Sequence, residues 1–219
     1  MTPKYNYPES RRAMVEGRRI YTVGDEKLPS VTTILDKTTD KSFLIAWRKR
    51  IGDAEADKQR NEAAGVGTAT HKLVENYLLE KETKPKGNLV WQMAKTVSKP
   101  IIDNLKENLD EVWGVECTLF YPDLYAGTTD LVGIYKGKPA ILDFKTSKKI
   151  KKREWIDNYF LQCTAYALAH NKMFDTDIKN CYIMMCDRKG NYKEFSMDNN
   201  EFQSFSDKWT KTLDRYYAL

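Results

Sequence analysis

The order of the predicted elements in this chain indicates an α/β domain with a mixed central sheet flanked by helices. Apolar residues recur at helical spacing between residues 42 and 109, and the pattern then changes to the two-residue alternation of strands between residues 112 and 145. A further helix, two strands and a last helix follow. This order favours a sheet with helices on both of its faces.

The N-terminal region is predicted to be irregular. Residues 1–40 show little periodicity, apart from a short hairpin expected around Arg19–Val23 and Leu28. A helix should begin after Pro29, with Ser30 as its N-cap, because a serine side chain can accept a hydrogen bond from a free amide of the first turn.

Three longer helices are predicted in the first half of the chain, over residues 42–62, 68–80 and 88–109. Gly65 and Gly67, which flank Val66, should separate the first two helices because glycine weakens a helix interior. Pro85 and Gly87 should form the loop before the third helix.

Five strands are predicted, over residues 112–121, 125–135, 139–145, 179–186 and 192–195. Pro122-Asp123 and Lys136-Gly137-Lys138 are short connections, so the first three strands should form antiparallel hairpins. A helix over residues 153–172 separates the third strand from the fourth, and a helix over residues 199–216 ends the chain.

Size and composition indicate a soluble globular protein. The 219 residues fit one domain, 41% of them are hydrophobic and 31% are charged. No apolar run approaches the roughly 18 residues that a membrane helix needs, and no apolar stretch follows the basic N-terminal residues as in a secretory signal. We therefore expect an intracellular protein without a membrane anchor. The net charge of +5 suits a polyanionic partner.

A pair of acidic residues and a lysine form the motif that carries the chemistry. Asp143 and Lys145 are two residues apart on a predicted strand and should share a face. Asp130 lies on the preceding hairpin strand, which can place it beside Asp143. Adjacent carboxylates persist together when a divalent cation lies between them, and a nearby lysine can neutralise charge that builds on a phosphate. Phosphodiester hydrolysis needs these parts, although an exposed ion pair at a strand end is the alternative interpretation.

Three further polar residues lie on predicted helices. His71 follows Gly67 by four residues, and it could be a ligand or an ordinary hydrogen-bonded histidine. Gln162 and Tyr166 are four apart on the helix after the motif, so they face the same way. They could rim the core, hold a DNA backbone or steady Lys145.

Two basic clusters stand out, Arg48-Lys49-Arg50 and the run from Lys145 to Arg153, which includes Lys148. Both could line the path of a nucleic-acid backbone or form a solvated charged face. Phe43 and Trp47 lie just before the first cluster in the sequence. They could stack on bases, but we favour the interpretation that they anchor their helix in the core.

The order of these motifs resembles the RecB-like branch of the PD-(D/E)XK nucleases. The resemblance rests on Gly67-x-x-x-His71, Asp130, Asp143-x-Lys145 and Gln162-x-x-x-Tyr166, with thirteen residues from the first aspartate to the second. Two stretches are further similar to the mitochondrial genome maintenance exonucleases and their phage relatives, namely Pro29-Ser30-Val31-Thr32 and Asp143-Phe144-Lys145-Thr146-Ser147-Lys148. The resemblance covers residues 28 to 186.

The resemblance implies a restriction-endonuclease-like fold and a set of site residues. Asp130, Asp143 and Lys145 would be catalytic, and Mg²⁺ or Mn²⁺ would be bound by His71, Asp130, Asp143 and the backbone carbonyl of Phe144. The residues that would contact DNA are Gln162, Tyr166 and Lys148. Glu116 matches an acidic position often found on the first strand, and whether it contacts a metal stays open. His170 matches no motif, and we expect it to be structural or on the surface.

The resemblance also implies a function. We expect one nuclease domain over residues 1–219, with residues 1–66 as an N-terminal elaboration that includes a helical arch over the site. The expected activity is that of a metal-dependent DNA exonuclease acting on single-stranded DNA or DNA ends, with other replication or recombination proteins as further expected partners. The alternatives are a duplex-degrading recombination exonuclease and a non-catalytic DNA-binding module. If the chain is encoded by a phage, its location would be the cytoplasm of the infected cell.

The cysteines predict that no iron–sulfur cluster is present, although some relatives of this type carry one. Cys117 and Cys163 lie within the predicted nuclease core, none of the four cysteines forms a CxxC pair, and none follows Cys186. We expect all four to be ordinary buried thiols. Cys181 and Cys186 should point to opposite faces of their strand, since they are five residues apart.

Overall fold

The structure, a computed structural model, describes residues 3–84 and 87–219. Its elements follow one another as β1 (Ser10–Val15), β2 (Arg18–Val23), β3 (Glu26–Pro29), α1 (Val31–Thr38), α2 (Ser42–Ile51), α3 (Asp53–Leu78), α4 (Leu89–Asn108), β4 (Leu109–Tyr121), β5 (Tyr125–Tyr135), β6 (Lys138–Ser147), α5 (Asp157–Phe174), β7 (Asn180–Asp187), β8 (Tyr192–Ser196) and α6 (Asn199–Tyr217). A short 3-10 turn over Arg153–Trp155 precedes α5. The predicted loop at Pro85 lies outside the described residues.

The central sheet has the strand order β4-β5-β6-β7-β8. Neighbouring strands are antiparallel, except that β6 and β7 are parallel. A parallel pair needs a long crossover, and α5 supplies it. The prediction of a mixed sheet flanked by helices is therefore confirmed.

Each face of the sheet has its own hydrophobic core. One core includes Ile141 of β6 together with residues of α1, α5 and α6, such as Phe160 and Trp209. The other includes Leu142 and Phe144 together with residues of α3 and α4. Because side chains alternate along a strand, Asp143 and Lys145 point to the same side as Ile141.

A small sheet of β1, β2 and β3 forms where the sequence predicted mostly irregular structure. The expected hairpin of Arg19–Val23 with Leu28 is present as β2 and β3, but the prediction of irregular structure was wrong for β1. Every residue of β1 after Ser10 is exposed, so the strand lacks the apolar alternation that would have identified it. Tyr21, Val23 and Leu28 pack the small sheet against β5.

The predicted break between the first two long helices was misplaced. The chain turns at Gly52, which has φ 83° and ψ 153°, and α3 then continues without interruption through Gly65 and Gly67. A Cβ atom at Gly65 would lie 3.6 Å from the Val90 side chain. Packing of α3 on α4 and the burial of Val66 therefore outweigh the weak helix preference of the two glycines.

Several local expectations can be compared directly with the structure. Ser30 is the N-cap of α1, and its hydroxyl accepts a hydrogen bond from the Thr33 amide at 2.9 Å. Phe43 is not a core anchor, because it is 81% exposed, and α2 contains no buried residue. Trp47 is only partly buried.

The cysteine expectations are confirmed as far as burial is concerned, since all four thiols are free and buried. Cys181 lies in the core with α5, whereas Cys186 lies in the core on the opposite face. Within residues 3–84 and 87–219, no helix combines the length and the apolar character needed to cross a membrane.

Candidate active site

The candidate site forms where β5 and β6 diverge. The two strands pair from Tyr135 and Lys138 up to Leu131 and Leu142, and beyond this point β6 pairs only with β7 on its other side. The Asp130 carboxylate then takes the place of a backbone partner, since its Oδ2 accepts a hydrogen bond from the Phe144 amide at 2.7 Å. The fork between the strands is therefore lined by Asp130 and by the edge of β6 that no longer pairs with β5.

His71 of α3 reaches into this fork. Its Nδ1 lies 3.2 Å from Asp130 Oδ1 and 3.9 Å from Glu116 Oε1, and its Nε2 lies 2.8 Å from the carbonyl oxygen of Phe144. A carbonyl can only accept, so Nε2 donates this hydrogen bond. Nδ1 thus faces two carboxylates, an arrangement that requires a positive charge between them, either a proton or a metal ion.

The charges around His71 have a large effect on its pKa. Burial lowers this pKa, but the carboxylates of Asp130, Glu116 and Asp143 outweigh the burial and raise the pKa of His71 to about 10. The His71 cation in turn lowers the pKa of Asp130 against the opposing effect of burial. The site therefore concentrates negative charge and favours a cation.

Glu116 reaches the site from β4 through an unusual backbone conformation. Its φ of 48° lies in the left-handed region, which a non-glycine residue enters at a cost of about 1–3 kcal/mol. The sequence left open whether Glu116 contacts a metal. The structure places its carboxylate beside Asp130, which is the neighbour that the antiparallel register of β4 and β5 predicts.

His71, Glu116 and Asp130 form a group that fits a divalent cation. One ligand atom from each lies within 4.8 Å of the other two. Two carboxylate oxygens and one imidazole nitrogen suit Mg²⁺ or Mn²⁺. Of the predicted ligands, His71 and Asp130 belong to this group and the Phe144 carbonyl borders it, whereas Asp143 lies outside it.

Asp143 and Lys145 form a close ion pair beside the group. Lys145 Nζ lies 2.8 Å from Oδ1 and 2.7 Å from Oδ2 of Asp143, and Asp143 is 2% exposed. Burial raises the pKa of Asp143 above its ordinary value, although the Lys145 ammonium opposes the shift. Burial lowers the pKa of Lys145, but the charges of Asp143 and Asp130 outweigh it and raise that pKa. Lys145 therefore carries a proton at neutral pH.

Gln162 and Tyr166 continue this contact network on α5, one turn apart as predicted. Gln162 Oε1 lies 3.4 Å from Lys145 Nζ, and Gln162 Nε2 donates to the Tyr166 hydroxyl at 3.3 Å. Tyr166 is buried. Gln162 thus contacts the lysine directly, while Tyr166 supports Gln162 from inside the core.

The basic run after β6 is dispersed rather than forming one surface. Lys148 Nζ donates to Gln59 Oε1 of α3 at 2.6 Å, whereas Lys151 Nζ donates to the Tyr159 hydroxyl at 2.6 Å. Arg153 pairs with two acidic residues of α5 and α6. Each charge therefore has to be considered separately as a DNA contact.

Tyr159 is a site residue that the sequence interpretation missed. Its ring centroid lies 4.9 Å from Lys145 Nζ. The only signal in the sequence was its position three residues before Gln162, which places both on one helix face. The other histidine, His170, is fully buried among aromatic side chains and hydrogen-bonded to Thr176, as befits a structural residue.

Comparison with known proteins gives two kinds of similarity. No family model matches the chain. Over 206 residues it is 28% identical to Mitochondrial genome maintenance exonuclease 1 of Mus musculus, a match that covers 86% of this chain and 59% of the mouse protein. The human protein of the same name is 27% identical over 206 residues, covering 86% of this chain and 58% of its own length. The chain thus spans less than two thirds of these relatives.

The fold is also found in a solved structure. A candidate exonuclease from Eubacterium rectale matches with a TM-score of 0.52 and 12% sequence identity, over 71% of this chain and 66% of that one. At this identity the match concerns the fold alone. The sequence relatives and the shared fold together confirm the resemblance that the motifs predicted, and this chain is similar to the PD-(D/E)XK nucleases.

Proposed function

We propose that this chain is a divalent-metal-dependent deoxyribonuclease that hydrolyses phosphodiester bonds at the ends of single-stranded DNA. One observation carries the proposal, namely that the His71, Glu116 and Asp130 ligand atoms lie beside the Asp143–Lys145 pair at the fork of the central sheet. The names of the sequence relatives, which are exonucleases, support it.

The residues of the site divide the chemical work. His71, Glu116 and Asp130 would hold Mg²⁺ or Mn²⁺, and the Phe144 carbonyl borders this ligand group. When bound, the metal ion supplies positive charge that stabilises the charge developing on the phosphate oxygens. Lys145, protonated and directed by Asp143, adds a second positive charge at the phosphate. Gln162 restricts the movement of Lys145 from the side of α5.

The preference for a single strand rests on the path of α2, which we infer to be the predicted arch. Before α2, the chain is tied to the α5 side of the sheet, where Asn158 Nδ2 donates to Thr39 Oγ1 at 3.1 Å. After α2, it is tied to the opposite side, where Gln59 accepts from Lys148. Helix α2 therefore crosses from one face of the sheet to the other, past the end of β6 that carries Lys145.

The composition of α2 suits contact with a nucleic acid. Its last turn contains Arg48, Lys49 and Arg50, and its first turns expose Phe43, Leu44 and Ile45. Basic groups can follow a phosphate backbone, and exposed aromatic rings can stack on unpaired bases. A duplex offers no unpaired base faces, so a helix that exposes Phe43 beside basic residues favours a single strand.

The test is a cleavage assay with end-labelled DNA. Linear single strands should be degraded when Mg²⁺ or Mn²⁺ is present, and EDTA should stop the reaction. Circular single strands and linear strands blocked by a bulky protein at both ends should survive, because an end must pass under α2. Rapid degradation of blunt duplexes would indicate a duplex-degrading recombination exonuclease, and metal-independent binding without cleavage would indicate a DNA-binding module.

Two variants connect the activity to the proposed residues. Asp143→Asn and Lys145→Met should each abolish cleavage while DNA binding persists, since both act mainly in the transition state. Lys138→Met, which changes an exposed lysine at the opposite end of β6, is the matched control and should leave cleavage intact. Turnover close to that of the unaltered protein in either site variant would contradict the proposal.

Metal binding can be measured without cleavage. His71→Ala and Glu116→Gln should each weaken Mn²⁺ binding, measured by calorimetry, by at least about tenfold, since even outer-shell partners contribute about 10–100-fold. An unchanged Mn²⁺ affinity in both variants would contradict the proposal that His71 and Glu116 bind the metal ion.

A further inference from the structure

Tyr159 on the first turn of α5 has two lysine side chains close to its ring. The ammonium nitrogens of Lys145 and Lys151 each lie 4.9 Å from the centroid of its ring. The Lys145 distance falls within the range of about 6 Å in which a cation is attracted to an aromatic face, whereas Lys151 lies at the hydroxyl end of the ring. The distance between the two ammonium nitrogens is therefore at most twice 4.9 Å.

Lys151 is held in place, unlike its neighbours in the basic run. Its Nζ donates to the Tyr159 hydroxyl at 2.6 Å, and its backbone amide lies 3.4 Å from Met185 Sδ. Lys152 is solvent-exposed, with Glu154 at 3.8 Å. Among the described residues, no carboxylate lies within ion-pair distance of Lys151, so its charge is available to an external anion.

Lys145 and Lys151 each bring a positive charge to the Tyr159 ring, so an anion that reaches both of them is attracted by both. Lys145 has Asp143 as a partner, but Lys151 has only the neutral Tyr159 hydroxyl. The hydrogen bond from Lys151 to the Tyr159 hydroxyl therefore holds a second positive charge near Lys145. A phosphate chain offers successive negative charges, one for each of the two ammonium groups.

We propose that Tyr159 is a positioning residue that holds Lys151 so that Lys151 binds the phosphate adjacent to the one that is cleaved. The proposal rests on the function proposed above. The Tyr159 ring restricts Lys145, while its hydroxyl places Lys151. The two parts of one side chain therefore have separable effects, one on the chemical step and one on substrate binding.

The experiment is a double-mutant cycle on labelled single-stranded DNA. Tyr159→Phe keeps the ring and removes the hydroxyl, and Lys151→Gln removes the charge. Each should raise KM about fivefold and leave kcat within about twofold, in line with the loss of one charge-assisted hydrogen bond. The double variant should be no worse than either single variant, because both remove the same contact.

Two comparisons separate positioning from a structural role. Lys152→Gln is the matched control. Its fold-change in KM should multiply with that of Tyr159→Phe, since Lys152 does not contact the Tyr159 hydroxyl. Tyr159→Leu should also lower kcat, by about tenfold, because it removes the ring from Lys145. Tyr159→Phe retains the packed ring, so it decides the question even if Tyr159→Leu does not fold.

Independent effects of Tyr159→Phe and Lys151→Gln, or a Tyr159→Phe variant with unchanged KM, would overturn the inference. If these outcomes occur while Asp143→Asn and Lys145→Met are inactive, only the role of Tyr159 fails. If Asp143→Asn and Lys145→Met remain active, the proposed function fails and the inference fails with it.

Discussion

The distances around Gly127 of β5 predict the effect on stability of replacing this glycine with alanine. A Cβ atom at this position would lie 2.6 Å from Cε1, 3.0 Å from the hydroxyl oxygen and 3.2 Å from Cζ of Tyr166. Ordinary contact begins at 3.4 Å, so Gly127→Ala requires the ring to move by about 0.8 Å. Tyr166 is 3% exposed and packed in the core with α5, and it cannot move without displacing its neighbours.

The expected cost follows from overpacking. Extra methyl groups in a packed core typically cost about 1–3 kcal/mol, partly offset by about 0.4–1 kcal/mol because alanine reduces the freedom of the unfolded chain. We therefore expect Gly127→Ala to lower the free energy of unfolding by about 1–2 kcal/mol. The displaced Tyr166 should also disturb Gln162, which it contacts at 3.3 Å, and reduce cleavage.

Urea unfolding provides the measurement, with Gly65→Ala as the matched control. A Cβ atom at Gly65 meets only the Val90 side chain, at 3.6 Å and 4.0 Å, and the position is inside a helix. The control should therefore be more stable than the unaltered protein by about 0.5–1 kcal/mol. Combining Gly127→Ala with Tyr166→Ala should cost less than the sum of the two single changes. A Gly127→Ala variant as stable as the unaltered protein would refute the reasoning.

Three further predictions concern pH, salt and the turn before α3. Burial lowers the pKa of His170 to about 4, so the unfolded chain takes up a proton below about pH 6.5 that the native protein excludes. Stability should thus fall as the pH drops, and in urea titrations the unaltered protein should lose about 2 kcal/mol more than His170→Asn between about pH 7 and about pH 5; equal losses would contradict this. Changing Lys148, Lys149 and Lys152 together to glutamine should flatten the slope of log affinity for single-stranded DNA against log salt by about 1–2 units, and an unchanged slope would exclude these lysines from the DNA path. Gly52→Ala, at φ 83°, should be strained and speed proteolysis of α2 while the urea midpoint of the core stays the same, and an unchanged cleavage pattern would argue against this local effect.

The sequence alone determined how site residues on the same strand or helix are oriented relative to each other. The alternation of a strand was enough to place Asp143 and Lys145 on one side of β6, and helical spacing was enough to align Gln162 with Tyr166. Both relations span four residues or fewer, and they hold wherever the element lies in the fold. The N-cap at Ser30 was predictable for the same reason.

The glycines of α3 show where local preference misled. Gly65 and Gly67 weaken a helix considered alone, but α4 and β6 pack against this part of α3 and keep it continuous. The real turn lies at Gly52, where the backbone adopts a conformation that other residues rarely enter. Sequence patterns cannot tell a glycine that bends the chain from one that lies within a helix, because neighbouring elements decide which applies.

Only the tertiary structure decided how the candidate metal group is assembled. His71, Glu116 and Asp130 come from one helix and two strands, and Glu116 joins them through a left-handed backbone conformation that no pattern in the sequence announced. The same packing placed Tyr159 beside both Lys145 and Lys151. The physical reason is that periodicity specifies directions within one element, whereas the distance between elements depends on how their buried faces fit together.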